Sequence, residues 1–143
     1  MSYRIRAVRP DDADALPRLR SWEASGWAAD TAPPLVAEDE DGASIGFVVT
    51  GTARDEGDRT AEVYTLEVAS DHWGCGAGCD LLATAVDRLS RAGFDRAVLW
   101  IDAANVRARR FYELHGWSYD SLERDVIPSG GGAHQARYSR SIV

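Results

Sequence analysis

Residues 68–82, VASDHWGCGAGCDLL, constrain the fold of this chain more than any other segment. A strand-like run ends at Val68, glycines follow at Gly74, Gly76 and Gly78, and a helical pattern starts at once. Glycine lacks a Cβ, so these positions open the positive-φ region and let a ligand lie against bare backbone. The amides that open a helix have no intrahelical partner, and the helix dipole favours negative charge there. A strand, such a loop and a helix, in this order, describe a pocket for a phosphate or diphosphate. The blander alternative is a tight turn ahead of a helix. No Gly-Lys-Ser/Thr follows the loop, so magnesium-assisted phosphoryl transfer lacks its residues. The strands before it read as a meander, which removes the dinucleotide-binding context.

That meander starts at the N-terminus. Tyr3 to Val8 alternates and is rich in strand formers, and a helix is predicted over 11–24. Leu35 to Glu38, the Asp41-Gly42 turn and Ser44 to Thr52 predict a hairpin, and Ala61 to Val68 a further strand. From there strand and helix alternate. Apolar residues at 81, 82, 85, 86 and 89 share one helical face between Gly76 and Ala92, with Gly93 as the stop. Ala97 to Ile101 is almost wholly apolar, as a strand covered on both faces would be. Trp117 to Leu122 and Gln135 to Ile142 read as closing strands around the flexible 129–132 loop. The length suits one domain spanning 1–143.

A second unit carries chemistry: residues 105–117, NVRARRFYELHGW. Asn105 caps a helix that Gly116 ends, and Asn105, Ala108 and Tyr112 line one side of it through spacings of three and four. Ala108 permits close approach. The Tyr112 phenol can protonate a thiolate leaving group as a general acid. Taken alone, Asn105 is equally a plain cap and Tyr112 a packed ring with its hydroxyl at the surface.

With both units in place, the chain resembles the GCN5-related N-acetyltransferase (GNAT) superfamily, over nearly its whole length. The superfamily's acyl-CoA loop, Arg/Gln-x-x-Gly-x-Gly/Ala, corresponds to Trp73–Gly78. Its Asn-x-x-Ala-x-x-Phe-Tyr-x-x-x-Gly-Phe motif is met from Asn105 to Trp117, with Trp in the last aromatic place. The resemblance implies an α/β (mixed α+β) GNAT fold: a central, mostly antiparallel, splayed sheet of six to seven strands flanked by about four helices. It also implies an enzyme that moves an acetyl group from acetyl-CoA to a primary amine, on a small molecule or a peptide, by direct attack in a ternary complex.

Residue by residue, the resemblance places the backbone of Leu66, Glu67 and Val68 along the pantetheine arm. It places Trp73, Gly74, Cys75, Gly76, Ala77 and Gly78 at the diphosphate, and Asn105, Ala108 and Phe111 beside the cosubstrate. Tyr112 becomes the acid at sulfur. Glu62 and Glu67, one at each end of the strand, are the candidate bases, and the resemblance favours Glu62 working through water, against the alternative of a solvated strand glutamate; Glu67, five positions on, is expected on the opposite face of the sheet. Trp22 and Trp27 fall where the first helices wall the acceptor site, or else pack in the core.

The departures are Trp73, where Arg or Gln is usual, and Cys75, where a basic residue is common. They motivate a prediction of weakened CoA binding, and a competing reading as a non-catalytic acyl-CoA-binding module. Arg107, Arg109 and Arg110 are candidates to compensate near the 3′-phosphate. Cys75 is either a small loop filler or a helix-terminal thiol able to form a mixed disulfide with CoA.

Composition sets the outer bounds. A net charge of −7 argues against nucleic-acid partners. The acidic runs at 38–41 and 55–58 are solvated loops or a mild attraction for cationic substrates. No apolar run approaches the roughly 20 residues that span a bilayer, and no signal-peptide block precedes the first strand. The expected setting is cytoplasmic, without a membrane partner. His72, Cys75 and Cys79 have ligand-like intervals but lack a fourth ligand, so no metal is expected. Homodimerisation, common in the superfamily, marks no patch in this sequence.

Overall fold

A computed structural model describes residues 3–9, 12, 33–53, 59–74, 76–126 and 133–142. Seven strands form one sheet: β1 (Tyr3–Ala7), β2 (Leu35–Asp39), β3 (Ser44–Thr52), β4 (Thr60–Val68), β5 (Arg96–Asp102), β6 (Ser118–Val126) and β7 (Ala133–Ser141). Their order is β1-β2-β3-β4-β5-β7-β6. Every contact is antiparallel except β4 with β5. Two α-helices are described, α1 (Ala77–Arg91) and α2 (Val106–Leu114), with a short 3-10 turn at Ser70–His72. The helix expected over 11–24 falls almost wholly outside the described residues, as do Trp22 and Trp27. Neither described helix is long and apolar enough to cross a membrane.

The sequence periodicities explain the layers. On α1, Leu81, Leu82, Ala85 and Leu89 are buried, and they pack on β-strand residues such as Val48, Val63 and Leu99. Tyr112 and Trp117 join the same core from the α2 side. The opposite face buries Val36, Phe47 and Val49, with Tyr64 against them. In β5, Ala97, Val98 and Leu99 are all within 1 % of full burial, as expected of an apolar run covered from both sides.

One ionic cluster fastens the N-terminal edge. The Arg6 guanidinium donates to both Asp12 carboxylate oxygens at 2.8 Å and to Glu38 at 2.6 Å. Arg6 holds the Asp12 carboxyl below the usual carboxylate range.

Two irregularities interrupt the sheet. The first is a bulge in β4. Val49 pairs with Thr65 but Thr50 with Val63, so Tyr64 is the extra residue. Because Glu62 pairs with Gly51 and Glu67 with Phe47, four positions apart on β3, the two glutamates share one face of the sheet. The expectation from their odd spacing, opposite faces, is corrected by that single added residue. The second lies in β6, where the register slips between Tyr119 and Glu123 and Ser121 has a φ of 61°. The strand continues past this bulge to Val126, beyond the end at Leu122 that alternation alone suggests.

Candidate active site

The parallel seam between β4 and β5 is short. It runs from Thr60↔Arg96 to Val63↔Leu99 and then stops, although β4 continues to Val68 and β5 to Asp102. Beyond Val63, β4 keeps its partner β3 and loses β5. The sheet therefore splays at its centre. The glycine loop and the first turn of α1 follow directly from the freed end of β4.

Two of the three loop glycines adopt the backbone conformation read from the sequence, and Gly78 does not. Gly74 and Gly76 adopt φ of 86° and 92°, the left-handed region that a Cβ disfavours. A Cβ at Gly74 would meet nothing within 4 Å, so this backbone borders open space. Gly76 is the N-cap of α1 and supplies no side chain to its orphan amides. The first intrahelical bond runs from Asp80 N–H to the Gly76 carbonyl at 3.0 Å. The N–H groups of Ala77, Gly78 and Cys79 precede it, and they form the positive end of the helix dipole.

A cleft of about 610 Å³ opens there. Leu66 and Val68 of β4 form one wall, and Trp73, Gly74, Gly76, Ala77 and Gly78 another. Asn105, Ala108, Phe111 and Tyr112 of the second motif close it. Gly78 lies beneath Phe111, whose Cζ would stand 3.7 Å from an added Cβ. Asn105 both caps and lines: its Oδ1 accepts from Ala108 N–H at 3.0 Å. Bare backbone, unpartnered amides and a mainly apolar channel suit a long ligand with an anionic end, so the residues fit a diphosphate-bearing thioester.

Tyr112 is 7 % exposed, and burial pushes its phenol up to about 12. Its ring packs edge-on against Phe111 and Trp117, with centroids 5.2 and 5.9 Å away. No hydrogen bond to its hydroxyl is formed among the described residues. A neutral phenol with a free donor, held at a cleft wall, is a proton donor in waiting.

Other expected site residues lie elsewhere. Glu62 is 2 % exposed, on the sheet face away from α1, one position before the seam ends. Neither Glu62 nor the Glu67 side chain lines the cleft. Cys75 lies outside the described residues. Of the three arginines, Arg107 lines the cleft. Arg109 is committed to the fold, its Nε donating to Tyr138 Oη at 3.0 Å and its Nη1 to the Ala103 carbonyl at 2.9 Å. Arg110 is exposed.

Two further residues line the cleft, His72 and Cys79, whose spacing in the sequence suggests nothing beyond metal ligation. Their nearness to the glycines is the signal that points to the cleft. Among the described residues no three His, Cys, Asp or Glu side chains gather as a metal site.

Residues 3–117 match the model of the acetyltransferase (GNAT) family. A mycothiol acetyltransferase of Propionibacterium freudenreichii subsp. shermanii is 35% identical over 106 residues, which are 74% of this chain and 34% of that protein. The ribosomal protein bS18 alanine N-acetyltransferase of Escherichia coli K12 is 28% identical over 99 residues, 68% of this chain and 63% of that one. The chain thus spans about a third of the mycothiol acetyltransferase and under two thirds of the second relative. In fold it is similar to yncA of Salmonella typhimurium, solved with its cofactor acetyl-CoA, at a TM-score of 0.79 and 20% identity, covering 100% of this chain and 95% of that one. On the family match, with the splayed sheet and glycine loop in support, the chain belongs to the acetyltransferase (GNAT) family, whose acyl donor is acetyl-CoA.

Proposed function

We propose that this protein is an N-acetyltransferase that takes the acetyl group of acetyl-CoA and delivers it to a primary amine by direct attack in a ternary complex. The observation that carries this reading is the seam that ends at Val63↔Leu99 directly beside a glycine loop and Tyr112. It leaves an opening between strands where a slender chain can pass, with anion-binding amides at one end and a proton donor along the wall.

The residues divide the work. The N–H groups of Ala77, Gly78 and Cys79, with the backbone of Gly74 and Gly76, hold the diphosphate. Leu66 and Val68 border the pantetheine arm, and free backbone N–H groups of β4 polarise the thioester carbonyl. The donor supplies an activated acyl group. The acceptor nitrogen must be neutral to attack, because an ammonium has no lone pair. Glu62 stands at the closed end of the opening, on the far face of the sheet, and accepts that proton through water. Tyr112 donates a hydrogen bond, and then its proton, to the departing sulfur.

The acceptor is a small-molecule or peptide amine. Relatives named for mycothiol and for a ribosomal-protein alanine support both classes, and the acidic balance favours a cationic acceptor. One domain over 1–143, in the cytoplasm, is the setting that goes with this reading.

The test is acetyl-CoA-dependent acetylation of an amine library read by mass, with thiol release followed in parallel. Steady thiol release that depends on an amine supports the enzyme. Tight CoA binding without turnover on any amine would instead identify a binding module.

A further inference from the structure

Arg107 is the one arginine or lysine among the described residues that line the cleft. Its guanidinium carbon lies 3.7 Å from the centroid of the Trp73 ring. Trp73 is itself pinned, since its Nε1–H donates to the Val68 carbonyl at 2.7 Å. A chain of contacts thus runs from the end of β4, through an indole in the glycine loop, to the first turn of α2. All three of its residues, Val68, Trp73 and Arg107, line the cleft.

Stacking uses the face of a guanidinium and leaves its five N–H donors at the rim. Arg107 forms no hydrogen bond or ion pair with another described residue, so those donors are uncommitted. Arg109, two positions on, commits its Nε and an Nη1 donor to Tyr138 and Ala103. Within the same cleft, His72 carries a buried Nδ1 without a partner. Its polar atom adds a second group at this end that the protein leaves unsatisfied.

We infer that Trp73 is a positioning residue that holds Arg107 as the phosphate-reading cation of the cleft, so that the pair stands in for the Arg or Gln usual at the first loop position. The substitution that looks like a lost charge is a relocated one. A flexible arginine in the loop would have to be ordered by the ligand; here the indole orders it beforehand, which lowers the entropy cost of binding. The inference rests on the acyl-CoA reading proposed above, and it deepens that reading.

Calorimetric titration of CoA at low and at high ionic strength tests it, on wild type, Arg107→Ala, Trp73→Ala, Trp73→Phe and the double alanine variant. Wild type that fails to bind CoA overturns the acyl-CoA reading itself, and with it the clamp. With wild-type binding in hand, Arg107→Ala should weaken CoA about tenfold at low salt, or about 1.4 kcal/mol, and the gap should close at high salt. Trp73→Ala should lose several-fold, Trp73→Phe less, and the double variant no more than Arg107→Ala alone. Both side chains are exposed, so the fold should survive, and thermal melts check this. Unchanged affinity in Arg107→Ala, a loss equal at both salt levels, or additive losses in the double variant would each overturn the clamp while leaving the acyl-CoA reading intact.

Discussion

Replacing Tyr112 by phenylalanine removes one oxygen and nothing else from the cleft wall. The ring keeps its edge-on contacts with Phe111 and Trp117. The hydroxyl gives up no hydrogen bond to a described residue, so its loss leaves no orphaned partner there. Stability near neutral pH should therefore stay within about 1 kcal/mol of wild type or rise slightly. Activity should not survive so well: loss of a general acid typically costs about a hundredfold to ten-thousandfold in kcat.

The alkaline behaviour supplies an independent check. Burial raises the phenol from 10.0 to about 12. In the unfolded chain it titrates near the lower value, so between pH 10 and 12 the unfolded state binds fewer protons than the folded state. Stability is then complete below that window and falls as pH rises through it. The total loss is on the order of 3 kcal/mol across those two pH units. Tyr112→Phe lacks this dependence. Denaturant melts at pH 9 and at successive steps towards 12 should show the variant gaining on wild type by most of that amount. A variant that keeps most of its kcat, or that is several kcal/mol less stable at pH 7, would refute the reasoning.

Further outcomes rest on the same geometry. Gly78→Ala should stabilise α1 by about 0.5–1 kcal/mol in thermal melts, because its added Cβ makes only ordinary contacts with Val68 and Phe111. The same methyl narrows the cleft, so CoA affinity by calorimetry should fall; a variant equal to wild type in both would speak against the loop as the diphosphate site. Glu62→Gln should depress the rate chiefly at low pH, where acceptor deprotonation limits, and an unaltered pH–rate profile would reject Glu62 as the base. Asp12→Asn should flatten the acid side of the stability curve. Arg6 lowers the Asp12 value, so the pair stabilises the fold above the ordinary carboxylate range and is lost as pH falls through the lowered value. An acid limb identical to wild type would show that Asp12 does not set it.

Much of this molecule was legible in its sequence because the signals are local. Gly74, Gly76 and Gly78 sit within one turn of the helix they serve, and Asn105, Ala108 and Tyr112 share a helix face set by spacing alone. The β-strand boundaries followed alternation closely wherever the pleat is regular. What escaped was non-local, or a break in period. The single bulge residue Tyr64 moves Glu62 and Glu67 onto one face, and no pattern of apolar residues announces it. Ser121, in a left-handed conformation, lets β6 run on after its alternation has lapsed. Trp73 and Arg107 meet across 34 positions of chain, and each in isolation reads as surface.

The abrupt end of the β4–β5 seam also has a bearing on how this protein avoids the wrong company. It creates two raw strand borders in the interior of a sheet, the kind of surface that recruits foreign polypeptide when it lies at a perimeter. Here the flanking β3 and β7 remain attached, so the gap is bounded by paired strands and is not an open margin. An interruption held between paired strands thus offers foreign polypeptide less border than the same edge would at a perimeter.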